Sequence, residues 1–136
     1  MADSTTEEAR IASLLEAWAE AVRRHDMAGI LAHHAPDILM FDVPPPLQSK
    51  GLKAYEETWG LLFQYHKPGT AFDIREITVT AGADVAFAAL VMFCGPNSSK
   101  TPADDDGFLF RLTVGLRKIG GDWRITHEHH SVPADH

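Results

Sequence analysis

The sequence contains a single cysteine, Cys94, so no disulfide can form within the chain. Its neighbours in the sequence are apolar, which predicts a buried, unreactive thiol and argues against a redox function. Basic residues are also few, since 12 Lys and Arg stand against 19 Asp and Glu and leave a net charge of −7. Because this charge repels a phosphate backbone, we expect no nucleic-acid partner.

Long hydrophobic runs are lacking as well. The longest, residues 85–94, is about half of the ~20 apolar residues that cross a bilayer, and the N-terminal stretch lacks the basic-then-apolar layout of a signal peptide. We therefore expect no membrane partner and a cytoplasmic location. A chain of 136 residues can build one substantial core, so residues 1–136 are predicted to form a single domain.

The first half of the sequence carries three helical patterns. Residues 5–24 repeat apolar side chains at helical intervals and place Trp18 on the buried stripe. Residues 25–37 predict a short second helix that is stopped by Pro36, and residues 51–65 predict a third helix. Between them, the segment DILMFDV alternates as a strand, and a run of three prolines ends it just after Asp42.

The second half consists of β-branched and aromatic runs separated by turn residues. These runs are FDIREITVTA, DVAFAALVMFC, GFLFRLTVGLRKI and DWRITHEHHSV, and they predict a four-stranded antiparallel meander. Helices followed by strands predict an α+β fold, in which three helices of the N-terminal half close over the concave face of a curved sheet and leave a cone-shaped cavity. The long connection 95–107 predicts a flap over the cavity mouth. Residues 85–94 are apolar on both strand faces, so we expect a homodimer through the sheet.

The order of these elements, together with the segments FDVPPPLQSKG and GGDWRITHEHHS, resembles the nuclear-transport-factor-like superfamily. It is most similar to the SnoaL-like and ketosteroid-isomerase-like branch, over essentially the whole chain. The resemblance implies a cystatin-like α+β roll and a small-molecule isomerase, dehydratase or cyclase that transfers protons in a hydrophobic pocket. The same fold also serves proteins without catalysis.

The resemblance implies a catalytic base. In ketosteroid isomerases the proton-shuttling carboxylate lies at the end of the first strand, nine residues before the glycine that opens the third helix, and Asp42 and Gly51 have this spacing. Trp18, Trp59 and Thr113 stand where that family carries two tyrosines and an aspartic acid. An indole is a poorer donor to an enolate than those groups, so steroid isomerisation is not expected.

Alternation along the last strand sorts its histidines into two faces. His127 and His129 share a face with the apolar Trp123 and Ile125, whereas Glu128 lies on the opposite face with Arg124, Thr126 and His130. Because the apolar pair should point into the cone, we expect His127 and His129 to line the cavity. A bulge near Gly120 and Gly121 would exchange the two faces.

Three functions are open for this inward pair. With Asp42 as the base, His129 and His127 can polarise or reprotonate a substrate; the same three side chains can supply ligands to a metal; or both rings can be hydrogen-bonded lining. We predict the first, without a metal or cofactor and with a small apolar or carbonyl-bearing partner. The alternative function is a non-catalytic module for ligand binding or dimerisation. The predicted substrate contacts are Trp18, Tyr55, Trp59, Phe63, Arg111 and Thr113.

Overall fold

The predicted α+β architecture is confirmed. A computed structural model describes residues 4–95 and 107–134, and its elements follow one another in the order helix, helix, two strands, helix, four strands. They are α1 (Ser4–Arg23), α2 (Met27–Leu31), β1 (His34–Phe41), β2 (Ser49–Lys50), α3 (Leu52–Leu62), β3 (Phe72–Ala81), β4 (Val85–Cys94), β5 (Phe108–Ile119) and β6 (Asp122–Ser131).

One curved sheet contains all six strands in the order β2-β1-β6-β5-β4-β3. The strands β3 to β6 form the predicted antiparallel meander, in which each strand pairs with the next. The sheet is not wholly antiparallel, because β1 runs parallel to β6. The chain between these two strands contains β2, α3, β3, β4 and β5, which satisfies the need of a parallel pair for a long crossover connection.

The helices cover one side of the sheet, which we call the inner face. Along α1 the side chains of Ile11, Leu15 and Trp18 are fully or almost fully buried, as the helical spacing predicts. They meet the alternate residues of the strands, for example Leu90 and Met92 of β4, which are also buried. Burying such apolar side chains is the main source of stability for a domain of this size.

The second helix is shorter than predicted. It ends at Leu31, and β1 begins at His34, so Pro36 lies inside a strand and not at the end of a helix. The pairing of β1 with β6 shifts register between His34 and Leu39, and Pro36 is exposed within that irregular stretch. A proline has no N–H for the ladder, so a bulge is one of the few strand positions that accept it. Because β1 begins two residues before Pro36, His34 belongs to the sheet.

A bulge in β6 changes which side chains face the helices. Gly115 of β5 lies opposite His127, whereas Leu116 lies opposite Ile125, so Thr126 is an extra residue in β6. Residues before Thr126 keep the predicted orientation, and residues after it are exchanged. The bulge lies at Thr126 and not near Gly120 and Gly121, and it turns Glu128 towards the inner face.

A buried carboxylate ties α1 to the far end of the sheet. Glu7 accepts hydrogen bonds from Lys118 Nζ at 2.6 Å, Trp123 Nε1 at 2.9 Å and Arg10 Nη1 at 2.8 Å. The hydrogen bond from Lys118 is the largest of the effects that lower the pKa of Glu7 to about 2. This contact fixes the start of α1 over the β5–β6 hairpin.

Three further sequence predictions concern the cysteine, membrane-spanning helices and the flap. Cys94 is buried, as predicted, and burial raises the pKa of its thiol to about 11. None of the helices within residues 4–95 and 107–134 combines the length and hydropathy of a membrane span. Residues 96–106 of the predicted flap lie outside the described part of the chain.

Candidate functional site

The most unusual group of the inner face is a buried carboxylate. Glu128 is 1% exposed, and three side chains donate hydrogen bonds to it. His34 Nε2 lies 2.5 Å and the Tyr55 hydroxyl 2.7 Å from Oε2, while His130 Nε2 lies 3.0 Å from Oε1. We call His34, Tyr55, Glu128 and His130 the Glu128 cluster.

Three different elements bring the Glu128 cluster together. Glu128 and His130 point inward because of the bulge at Thr126, and His34 begins β1, the parallel neighbour of β6, opposite Ile125. Tyr55 descends from α3, and its ring centroid lies 4.4 Å from that of His34. No short sequence motif contains the cluster, because His34 and Tyr55 lie far along the chain from Glu128 and His130.

The charge of Glu128 follows from its hydrogen bonds. Burial alone raises the pKa of a carboxyl group, but the hydrogen bonds and charge supplied by His130 and His34 outweigh it and lower the pKa of Glu128 to about 2. An ionised carboxylate can only accept hydrogen bonds, so Nε2 of each histidine carries a proton. In a neutral His34 ring the lone pair then lies on Nδ1.

Tyr55 is held as a neutral phenol. Burial and the adjacent Glu128 carboxylate raise its pKa well above the ordinary value. Its hydroxyl donates to Glu128 and accepts from Trp18 Nε1 at 3.1 Å, so both directions of hydrogen bonding are used. Tyr55 therefore orients the carboxylate and does not provide a proton of its own near neutral pH.

Two buried polar atoms beside Tyr55 have no hydrogen-bond partner within the described ranges. They are His34 Nδ1 and Trp59 Nε1, although the Trp59 N–H lies near enough to the Tyr55 hydroxyl to oppose the rise in the pKa of Tyr55. The side chain of His34 is 0% exposed and Trp59 is 4% exposed, so bulk water does not compensate either atom. Most buried polar groups in native proteins are paired, so an exception of this kind calls for a physical explanation, such as a catalytic role or a bound water.

Aromatic rings surround the cluster and fill much of the space where a cavity was predicted. Trp18 lies 6.0 Å from Trp59 and 5.3 Å from Phe72, centroid to centroid, with edge-to-face geometry. Trp59 lies 6.2 Å from Tyr55. The predicted cone-shaped pocket is thus not confirmed, although Trp18, Tyr55 and Trp59 do point inward as predicted.

Comparison with known proteins assigns the chain to a family. The SnoaL-like domain matches residues 11–135. The chain belongs to the SnoaL-like domain family. The sequence-based identification of this branch is thereby confirmed. Among curated proteins no match is found.

Solved structures agree with this family. The SnoaL-like chain is similar to an NTF2-like protein of unknown function from Pseudomonas putida KT2440, with 37% identity, a TM-score of 0.87 and coverage of 98% of this chain and 92% of that one. It also resembles a ketosteroid isomerase-like protein from Erwinia carotovora (21% identity, TM-score 0.75, coverage 95% and 98%). A candidate dehydratase of the NTF2-like family from Streptomyces avermitilis is similar as well (17% identity, TM-score 0.77, coverage 97% and 100%). The latter two likenesses show a shared fold.

The histidines predicted to line the pocket of this SnoaL-like chain lie on the other side of the sheet. His129 is exposed and His127 is half-buried, and both rings contact Phe41 edge-to-face at 5.3 and 4.9 Å. His127 Nδ1 also donates to the carbonyl oxygen of Leu39 at 2.7 Å. The predicted orientation was wrong because the Thr126 bulge reverses the alternation after Ile125.

Asp42 follows the end of β1, as predicted. It is half-buried, and its Oδ1 accepts a hydrogen bond from the backbone N–H of Val43 at 2.7 Å. This contact orders the entry to the proline run. None of the described hydrogen bonds or ring contacts joins Asp42 to His127 or His129, and no group of three or more potential metal ligands occurs within the described ranges.

Two of the predicted substrate contacts also lie on the outer face. Thr113 and Arg111 are exposed residues of β5, and the guanidinium Nε of Arg111 donates to Ser131 Oγ at 3.1 Å. In β5 the even-numbered residues, such as Phe110 and Leu112, point towards the helices, so the odd-numbered residues point away from them.

Phe63, another predicted substrate contact, is half-buried at the end of α3 and stacks on His25 with 3.7 Å between ring centroids.

A concave region of the described structure lies apart from the Glu128 cluster. It is a groove of about 660 Å³ between α1 and the beginning of β6, and Arg10, His33 and Arg124 are among the residues that line it. Trp123 and the small residues Ala9, Ser13 and Ala17 also line it. None of the four cluster residues belongs to this groove.

Sequence reasoning did not predict that His34, Glu128 and His130 meet on the inner face. One signal was available, because Gly115 interrupts an otherwise regular strand, and a glycine inside a strand often marks a bulge in the pairing. A Cβ at Gly115 would come within 3.3 Å of the His127 Cβ across the pair. Nothing comparable in the sequence indicates that His34 belongs to a strand beside β6.

Proposed function

We propose that this chain is an acid–base enzyme that moves a proton on a small apolar or carbonyl-bearing molecule, as in isomerisation, dehydration or cyclisation. The observation that supports it best is the state of His34. Its Nε2 is bound to a buried, ionised carboxylate, and its Nδ1 is buried without a partner among the described residues. An imidazole oriented by a carboxylate is a common general base near neutral pH.

In this proposal each member of the Glu128 cluster has one role. His34 Nδ1 takes a proton from the carbon beside the substrate carbonyl, and the resulting imidazolium returns it to another position. Glu128 holds the tautomer of His34 and stabilises the imidazolium. Tyr55 and His130 hold the carboxylate through its two oxygens. The proposal invokes no cofactor.

Substrate entry requires movement of α3. Tyr55 and Trp59 belong to this helix, and their rings occupy the space next to His34. An outward shift of α3 breaks the Tyr55 contact with Glu128 and opens the space beside His34, while the sheet still holds His34, Glu128 and His130 together; return of the helix restores the contact over the bound substrate. Opening motions of this kind are common for elements that cover a site.

The assay follows exchange of α-protons of cyclohexanone and 1-tetralone in D₂O by NMR. Replacing a general base typically lowers a rate by about 10²–10⁴-fold, so His34→Gln and Glu128→Gln should lower the enzyme-dependent exchange by that amount. His33→Gln, a change at the adjacent residue outside the cluster, should leave it within about twofold of the wild type. Exchange that persists undiminished in His34→Gln, or that the wild type does not accelerate for either ketone, contradicts the proposal.

The same assay tests the base that the family resemblance implies. Asp42 has the expected spacing to Gly51 but orders a turn, and His129 is exposed on the outer face. If His34 is the base, Asp42→Asn and His129→Gln should retain most of the exchange activity. A loss of about 10²-fold in either variant, with His34→Gln unaffected, would assign the chemistry to the originally predicted residues.

We also propose that the outer face of the sheet mediates a homodimer. Val85, Phe87 and Leu109 are 57%, 52% and 55% exposed, and strand pairing places Phe87 and Leu109 on a common face with Phe41. Apolar surface of this kind, on a sheet whose other side is covered, is typical of a subunit interface. The tight ring packing around the Glu128 cluster favours, as a second candidate function, a dimerisation module without catalysis.

A further inference from the structure

The groove between α1 and the beginning of β6 has room for a small molecule. Its volume of about 660 Å³ lies within the range of roughly 300–1,000 Å³ that is typical of small-molecule sites. Ala9, Ser13 and Ala17 line it at intervals of four residues along α1 and are exposed. Side chains at this spacing share one face of a helix, and because these three are short they leave space beside β6.

Apolar side chains also line the groove. Leu14 of α1 is half-buried and Trp123 of β6 is buried. The indole of Trp123 is held in place, since its Nε1 donates to Glu7 Oε2 at 2.9 Å. A surface that is already ordered accepts the apolar part of a ligand without the entropic cost of fixing a mobile side chain.

Positive charge predominates among the described residues that line the groove. Arg10 of α1 and Arg124 of β6 are opposed by one carboxylate, that of Asp122. The side chain of Asp122 is 69% exposed, and its Oδ2 lies 4.0 Å from Arg124 Nη2, so solvent screens this pair. In a chain with a net charge of −7, such a concentration of cations is a local reversal of sign, and it favours an anionic ligand.

Both guanidinium groups keep N–H donors for a ligand. Arg10 donates from Nη1 to Glu7 Oε1 at 2.8 Å and from Nη2 to the carbonyl oxygen of Gly121 at 3.4 Å. Arg124 donates from Nη1 to the carbonyl oxygen of Ala32 at 3.0 Å. A guanidinium has five N–H groups, so these contacts restrain the two side chains without using all of their donors. Arginine in this state is well suited to a carboxylate or a phosphate.

We infer that the groove binds a small organic oxyanion, whose charge pairs with Arg10 and Arg124 and whose apolar part packs on Leu14 and Trp123. A carboxylate and a phosphate monoester share this chemistry. The inference is independent of the proposed function, because the groove and the Glu128 cluster have no residue in common.

His33 lines the groove and can report the arrival of an anion. Burial and then the charge of Arg124 lower the pKa of its ring; His34 adds to this effect and Asp122 opposes it. An anion bound at Arg124 offsets the guanidinium charge and favours the protonated imidazole. Binding should therefore raise the pKa of His33.

The experiment measures binding to the full chain by ligand-detected NMR and by shifts of backbone amides. The probes are benzoate and phenyl phosphate, with benzamide as the neutral analogue and acetate as an anion without an aromatic part. Benzoate or phenyl phosphate should bind about tenfold or more tightly than benzamide and acetate. The shifted amides should include Ser13 and Trp123, and the NMR titration of His33 should move to higher pH. The tighter of the two aromatic probes identifies the oxyanion, and either one supports the inference.

Substitutions in the groove provide the residue-level test. Arg10→Gln and Arg124→Gln should each weaken binding of the better probe about fivefold, because each removes a charge and its hydrogen bonds. Arg24→Gln, which removes an exposed arginine just after α1, is the matched control and should change the affinity less than twofold. Ser13→Phe should block the groove and abolish binding, whereas Ser13→Ala keeps it open and should bind like the wild type.

Results with the wild type alone can overturn the inference, so its test does not depend on the folding of any variant. Equal affinities for benzoate, phenyl phosphate and benzamide would do so, as would the lack of saturable binding of either oxyanion at millimolar concentrations. Amide shifts that lie outside the groove, or an unchanged pKa of His33 in the presence of saturating probe, would also overturn it.

Discussion

At the scale of the residue, the chemistry of the chain depends on how one carboxylate is surrounded. Glu128 has the same side chain as the exposed Glu16 of α1, yet it accepts hydrogen bonds from two imidazoles and a phenol in a buried position. These donors more than offset the cost of burying the charge and keep the pKa of Glu128 low. Removing the charge should therefore affect both stability and its pH dependence.

Glu128→Gln should lower the free energy of unfolding at pH 7 by about 3 kcal/mol, because an amide cannot accept from all three donors and leaves buried groups unpaired. The depressed pKa of Glu128 stabilises the folded state above the ordinary value of 4.5, and this contribution is lost as the pH falls towards about 2. Urea denaturation from pH 7 to pH 3 should show the difference between variant and wild type shrinking below pH 4.5. Glu16→Gln is the matched control, and an equal, pH-independent effect of both changes would contradict this account.

At the scale of the element, two histidines join the end of α1 to the segment after α3. His25 Nε2 and His66 Nδ1 are 3.0 Å apart, and His25 also stacks on Phe63. One ring must donate and the other accept, so the hydrogen bond cannot exist when both rings are protonated. Burial lowers the pKa of each ring. The contact thus ties the C-terminal end of α3 to α1 only while the pair is not fully charged.

This contact predicts a pH dependence of its own. A histidine whose pKa is lowered on folding stabilises the folded state above the ordinary value of 6.5 and less so as the pH falls below it. Urea denaturation should therefore show stability decreasing between about pH 7 and pH 5, with faster hydrogen exchange in residues 63–70. His66→Gln should flatten this dependence, whereas His129→Gln, at an exposed position, should not. An unchanged slope in His66→Gln would show that the pair does not control it.

At the scale of the whole molecule, the sheet has one face under the helices and one without a cover in the single chain. The exposed side chains of that second face include Val85, Phe87 and Leu109, which are costly to leave in water. Association of two copies through this face would bury them and leave the Glu128 cluster, on the inner face, untouched. The dimer and the candidate site should therefore be separable by mutation.

Phe87→Asp combined with Leu109→Asp should weaken the dimer by about 100-fold or more, since it removes apolar anchors and places carboxylates in the interface. Light scattering across micromolar concentrations should then report the dimer for the wild type and the monomer for the variant. Leu47→Asp, at a position that is 91% exposed outside the sheet, is the control and should leave the dimer intact. A wild type that is monomeric under these conditions would refute the proposed interface.

Periodicity predicted the elements well, because it depends on local geometry. The spacing of Ile11, Leu15 and Trp18 predicted α1, and the four strands of the meander lie within a residue or so of their predicted limits. Prediction failed at two positions where a single residue departs from the regular pattern of its segment. Pro36 was read as a helix stop and lies in a strand, and Thr126 as an extra residue exchanged the two faces of the second half of β6.

By itself, the sequence determined the class of fold, the family and the inward aromatic side chains, since hydrophobic burial follows helical and strand periods along the chain. Only the tertiary structure decided the site. The pairing of β1 with β6, the bulge at Thr126 and the position of α3 bring His34, Glu128 and Tyr55 together. The physical reason is that these contacts join residues far apart in the chain, and local periodicity carries no information about which strands will be neighbours or where a strand takes in an extra residue.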